Sequence, residues 1–155
     1  MWPHWLWAAL ICIAFGALEA LCAGKHPAAT LRAIRQPNWS PPFWAWAIIG
    51  VGWYVICLVS LARLLPRYGD TPWPFILLLK LMAANALWGI IQFRMKRFDL
   101  ALWFCLPYAV LLAAFLWAVW PVDRVPFYLF VGYAIYLPYA GAWGWRIWRL
   151  NPRER

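Results

Sequence analysis

Residues 100–120 read LALWFCLPYAVLLAAFLWAVW, a run without a single charge that stops at Pro121. At about 1.5 Å per residue, a helix of that length crosses the roughly 30 Å of hydrocarbon in a bilayer. Apolar–polar alternation is absent, so the run does not read as a strand. With no water to satisfy backbone groups in lipid, a helix is the remaining form.

Working outward, four more runs of similar length appear. They cover about 2–23, 43–65, 72–93 and 125–147. Pro41-Pro42 opens the second, Pro66 follows it, and Arg146 and Arg149 fall at the end of the last. The composition agrees: 66% of the 155 residues are hydrophobic, 20% aromatic and 12% charged. Ordinary soluble domains are about 45–50% apolar and about 25% charged. A soluble enzyme, a disordered chain and a disulfide scaffold are excluded. The expected architecture is an all-α integral membrane protein, a single domain over 1–155, built as a five-transmembrane-helix bundle.

Residues 24–42 form an unusually long connection between helices 1 and 2, since bundle loops run about 2–8 residues. Pro37, Trp39, Pro41 and Pro42 stiffen it, so an ordered lid is expected. The first run lacks Lys or Arg in its leading residues and is too long for a signal peptide, so it is read as a retained helix.

The net charge of +9 is a topology signal, not a nucleic-acid footprint. With five spans, one side carries Lys25, Arg32, Arg35, Arg94, Lys96, Arg97, Arg146, Arg149, Arg153 and Arg155. The other carries Arg63, Arg67 and Arg124. The positive side faces the cytoplasm. This predicts a multi-pass protein of a bacterial cell membrane, N-terminus outside and C-terminus cytoplasmic. Trp2, Trp5, Trp44, Trp73, Trp120 and Trp145 lie near span ends, where indoles anchor at the interface. Cys12, Cys22, Cys57 and Cys105 sit in apolar runs and read as small hydrophobes. Small residues such as Ala83, Ala86, Ala109 and Ala113 would permit close contact between helices of two copies.

Catalytic patterns are missing: there is no Gly-x-Ser-x-Gly, no phosphate-binding Gly loop, and His4 and His26 are far apart. No catalytic residue, metal site or cofactor is expected. The third span carries the polar information. Asn85, Trp88 and Gln92 share one helical face with Leu81. An amide facing lipid would be costly, so this face should look inward. Tyr133, Tyr136, Ala140 and Trp143 share a face of span 5, at matching depth, and Tyr54 of span 2 falls near mid-bilayer. A cavity lined by Tyr54, Asn85, Trp88, Tyr136 and Ala140, with Trp143 as a further ligand-binding candidate, would suit a flat apolar ligand; the same residues would also make ordinary aromatic packing or an interhelical hydrogen bond. Of the intramembrane charges, Lys80 points away from the Asn85 face. Glu19, one turn from its helix end, is expected to snorkel outward.

These residues resemble the TspO/MBR family, the tryptophan-rich sensory proteins related to the mitochondrial translocator protein. Gln36-Pro37-Asn38-Trp39-Ser40-Pro41-Pro42 is similar to the family's stretch before helix 2, and Tyr54 to a later family tyrosine. Asn85-Ala86-Leu87-Trp88 with Phe93 and Met95-Lys96-Arg97 resembles the helix 3 pattern, and Trp148-Arg149-Leu150-Asn151 the family's terminal Leu-Asn. The resemblance implies a five-helix bundle, a homodimer, with a pocket under loop 1 for porphyrin, haem, sterol or related apolar ligands. It places Trp39, Asn85, Trp88 and Ala140 at pocket positions, with Tyr136 where the family usually has Trp. Thr30-Leu31 replaces a Trp-Tyr pair, Leu81 a Gln, Gly50 a helix 2 Trp and Gly132 a Pro, and Pro138 is added. Three roles are compatible with it: ligand sensing or transport, light- or oxygen-dependent porphyrin breakdown at indoles such as Trp39 and Trp88, or partnership with another membrane protein.

Overall fold

The computed structural model describes residues 4–25 and 27–152, without the side chain of Phe43. The readings that fall on Trp2, His26, Arg153 and Arg155 lie outside the described residues. Among the described residues seven α-helices form: α1 (His4–Ala23), α2 (Pro27–Ala33), α3 (Phe43–Leu64), α4 (Pro72–Gly89), α5 (Phe98–Trp103), α6 (Cys105–Val119) and α7 (Arg124–Leu150). Five helical segments are long and apolar enough to span a membrane: α1, α3, α4, α5 joined to α6, and α7. No strand occurs among the described residues. The protein is a five-helix membrane bundle.

Prolines set most of the joints. Pro42, in extended conformation, caps α3, and Pro72 and Pro74 lie in the first turn of α4, where a missing N–H costs nothing. Beyond Leu64 the chain tightens into a 3-10 turn over Leu65–Arg67. Beyond Gly89 it widens into a π turn over Ile90–Arg94, and Lys96 then reverses direction at φ 50. Where one straight helix was expected over 100–120, the fourth span starts earlier, at Phe98, and is jointed at Phe104. Pro107 supplies no N–H for the carbonyl of Trp103 and crowds it, which bends the helix one turn upstream. Pro138 is carried inside the 27-residue α7, which runs past 147 to Leu150.

The spans close into a ring: α1 packs on α3 and α4, α3 on α7, α7 on α6, and α6 on α4. Lipid is as apolar as leucine, so packing rather than water exclusion holds such a ring together. Its centre is filled by Leu61, Leu78, Leu81, Phe115, Val119 and Phe130, all fully buried. Phe130 meets Phe115 edge-on at 4.6 Å and Trp53 at 5.7 Å. Ala86 belongs to this interior at 2% exposure and so is unavailable to a second copy; Ala83, Ala109 and Ala113 face outward. A smaller cluster of Leu31, Phe98, Trp143 and Ile147 joins α2, α5 and α7. The indoles of Trp5, Trp44, Trp73, Trp120 and Trp145 are exposed at helix ends, and the Arg124 guanidinium lies over Trp120 at 3.1 Å.

Asp123 pins the turn between α6 and α7. Its carboxylate accepts from the Val125 amide at 3.0 Å, from Arg63 Nε at 2.9 Å and from Arg67. Burial alone would raise this carboxyl, but the bonds from Arg63, the Val125 N–H and Arg67 outweigh it and hold it below the usual carboxylate range. A carboxyl depressed in the folded state contributes stability that is complete above the unfolded pKa near 4 and is lost as pH falls through the folded value. Asp123→Asn should therefore lower stability at pH 7 by about 1–2 kcal/mol, combining a lost cap charge with two half-exposed ion pairs. Thermal unfolding in nanodiscs should show the gap to wild type closing below about pH 4; a gap independent of pH would contradict this account.

Candidate ligand site

Three helices meet at Glu19. The Tyr54 hydroxyl of α3 donates to Glu19 Oε2 at 2.6 Å, and Asn85 Nδ2 of α4 donates to Glu19 Oε1 at 3.0 Å. The expectation that Glu19 snorkels is overturned. The reason is directional: Cα–Cβ bonds tilt toward a helix's N-terminus, and α1 runs toward its near membrane face. The carboxylate therefore leans deeper, away from the headgroups. Gly16, one turn earlier, lies beside the same ring, where a Cβ would make ordinary contact with Tyr54 at 3.7 Å. Lys80 is exposed on α4, on the outside of the bundle.

A series of rings climbs α7 from the bundle centre toward the α1–α3 connection. Tyr133 stacks on Trp53 at 4.6 Å and its hydroxyl lies 3.0 Å from that of Tyr108. Tyr136 sits 6.1 Å from Tyr133 and 6.1 Å from Tyr139. Tyr139 meets Trp39 edge-on at 5.5 Å, and its hydroxyl donates to the Trp39 carbonyl. Ala140 is half-buried beside this series.

The long connection is tied down rather than free. Pro27 starts α2, a short helix absent from the sequence reading, continued by the helix formers Ala28 and Ala29. Beyond it, Gln36 donates to the Leu31 carbonyl and accepts from Ser40 at 2.6 Å. Trp143 Nε1 donates to Ser40 at 2.9 Å. Asn151 Oδ1 accepts from the Arg35 amide while its Nδ2 donates to the Arg35 carbonyl, both at 2.9 Å.

The residues singled out from sequence thus fall into groups. Tyr54 and Asn85 converge on Glu19. Tyr136 and Trp39 belong to the α7 ring series. Trp88 packs edge-on against Phe93 at 6.0 Å. Trp143 is 3% exposed and packs against Trp46 at 4.7 Å within the smaller cluster, so its contacts are to the connection's anchor. An open, almost wholly apolar groove of about 520 Å³ lies between α1 and α3, with Ala9, Cys12, Ala47, Gly50, Tyr54 and Leu58 on its walls. A Cβ on Gly50 would meet nothing within 4 Å. Sequence reasoning missed that Glu19 joins Tyr54 and Asn85. The signal available was its charge within an apolar span, but the partners lie 35 and 66 positions away.

A closed ring of five spans with a tethered connection at one end defines a polytopic helical membrane protein. The family profile described as TspO/MBR matches residues 8–149, and this protein belongs to the TspO/MBR family. It is similar to Protein CrtK of Rhodobacter capsulatus, with 30% identity over 155 aligned positions covering 86% of this chain and 89% of that protein.

Proposed function

We propose that this protein binds a tetrapyrrole such as a porphyrin or haem, or a sterol-like ligand of similar shape, and serves as a membrane sensor, regulator or transporter of it. The observation that carries this reading is the convergence of Tyr54 and Asn85 on Glu19 between helices, together with the ring series on α7 that leads to Trp39. Aromatic faces suit a flat apolar body, and a few fixed polar groups orient its edge. Trp39, Tyr54, Asn85, Trp88, Tyr136 and Ala140 contact the ligand in this reading. Trp143 acts by holding Ser40, and through it the segment bearing Trp39. Family membership and the likeness to CrtK lend support. The reading includes a homodimer with the N-terminus outside and the C-terminus in the cytoplasm. Asp123 neutralises part of the charge of Arg63 and Arg67, which sharpens the contrast between the two faces.

Titrating protoporphyrin into nanodisc-embedded protein should quench tryptophan fluorescence saturably, with a micromolar Kd, about −8 kcal/mol. Asn85→Ala/Trp88→Ala should weaken binding at least about tenfold, or 1.4 kcal/mol. Equal quenching in the variant would mean nonspecific partitioning and would defeat the proposal.

A further inference from the structure

Glu19 holds more acceptor capacity than its neighbours use. A carboxylate offers about four lone-pair directions, and Tyr54 and Asn85 occupy one on each oxygen. Both neighbours are neutral donors. The ion pairs among the described residues, Arg63 and Arg67 with Asp123 and Arg97 with Asp99, leave Glu19 without a cation. Acidic groups within spans ordinarily pair with a cation or mark a ligand path. Here the carboxylate leans inward, and the tyrosine that holds it also forms a wall of the apolar groove between α1 and α3.

We propose that Glu19, presented by Tyr54 and Asn85, receives the positively charged or N–H-donating group of an amphipathic ligand whose apolar body lies in the α1–α3 groove. The site then favours a hydrophobic amine over a hydrophobic acid of the same shape. Charge complementarity is the argument: a propionate brought to this point meets a like charge, whereas an ammonium completes an uncompensated one. Asn85 spends one of its two N–H groups on Glu19, and its carbonyl oxygen remains as a second acceptor beside the carboxylate. The inference deepens the ligand-binding reading above and rests on it.

Two matched probe pairs separate the claims. One is a porphyrin ring bearing either two aminopropyl or two propionate arms; the other is naphthylpropylamine against naphthylpropionate. Each is titrated into nanodiscs of uncharged phosphatidylcholine. The amine of each pair should bind at least about tenfold tighter, and Glu19→Gln should reduce that ratio to within about threefold. Asp70→Asn, an exposed carboxylate outside the spans, should leave the preference intact. Glu19→Ala serves the same purpose if the amide variant does not fold. A wild-type protein without amine preference, or a preference unchanged in both Glu19 variants, overturns the proposal. Glu19-dependent naphthylamine binding with no saturable porphyrin binding would uphold it and defeat the tetrapyrrole reading. Porphyrin binding indifferent to arm charge would do the reverse.

Discussion

Trp143→Ala should destabilise the protein by about 3–5 kcal/mol and release the connection between α1 and α3. Truncating a buried indole costs its packing and leaves a cavity. Here the indole is also a fastener. It packs on Trp46, fills the space between Leu31, Phe98 and Ile147, and donates to Ser40. Ser40 in turn donates to Gln36, whose amide reaches back to α2. Losing Trp143 removes the contact that joins this chain of bonds to α7. Thermal unfolding should record the loss, and limited proteolysis should cut residues 34–42 at least about tenfold faster, the ratio that 1.4 kcal/mol of local opening produces. Trp143→Phe keeps a ring but loses the N–H, and should cost about 1 kcal/mol or slightly more. Unchanged proteolysis in the alanine variant would show that the connection is held elsewhere, with the Asn151–Arg35 pair the next candidate.

The second large effect concerns the carboxylate. Tyr54→Phe/Asn85→Leu removes both donors to Glu19 and strands it among apolar side chains. Leaving a partly buried carboxylate without a donor costs about 1–3 kcal/mol per lost partner, whereas replacing the whole network by apolar groups is often neutral. The double variant should therefore unfold at markedly lower temperature, and adding Glu19→Leu should restore most of the loss. That rescue has the opposite sign from an additive expectation, so the triple variant decides the matter. If it proves less stable than the double, Glu19 has partners other than Tyr54 and Asn85, and the three-helix junction is wrong.

The contrast between Asn85 and Glu19 explains how much was legible beforehand. Asn85 could be placed from sequence alone, because an amide facing lipid pays for its unpaired hydrogen bonds and helical spacing groups it with Trp88 and Gln92. Gln92 is indeed buried, at 3% exposure. Glu19 misled, because distance from a helix end was visible and the direction in which the side chain leans was not. Trp143 shared a helical face with Tyr136 and Ala140 on paper, yet neighbours from α2, α3 and α5 recruit it into a separate cluster. Asp123 gave no signal at all, since its partners Arg63 and Arg67 come from the far end of another span.

Residence in the membrane, the number of spans and their approximate limits follow from the chain's own hydropathy. A bilayer imposes one length and one hydrogen-bonding rule on every segment, whatever its neighbours. Which spans adjoin, where the helices bend, and that one acid, one phenol and one amide meet were settled only in three dimensions. Contacts between residues tens of positions apart depend on the order in which the helices close their ring, and no local pattern along the chain encodes that order.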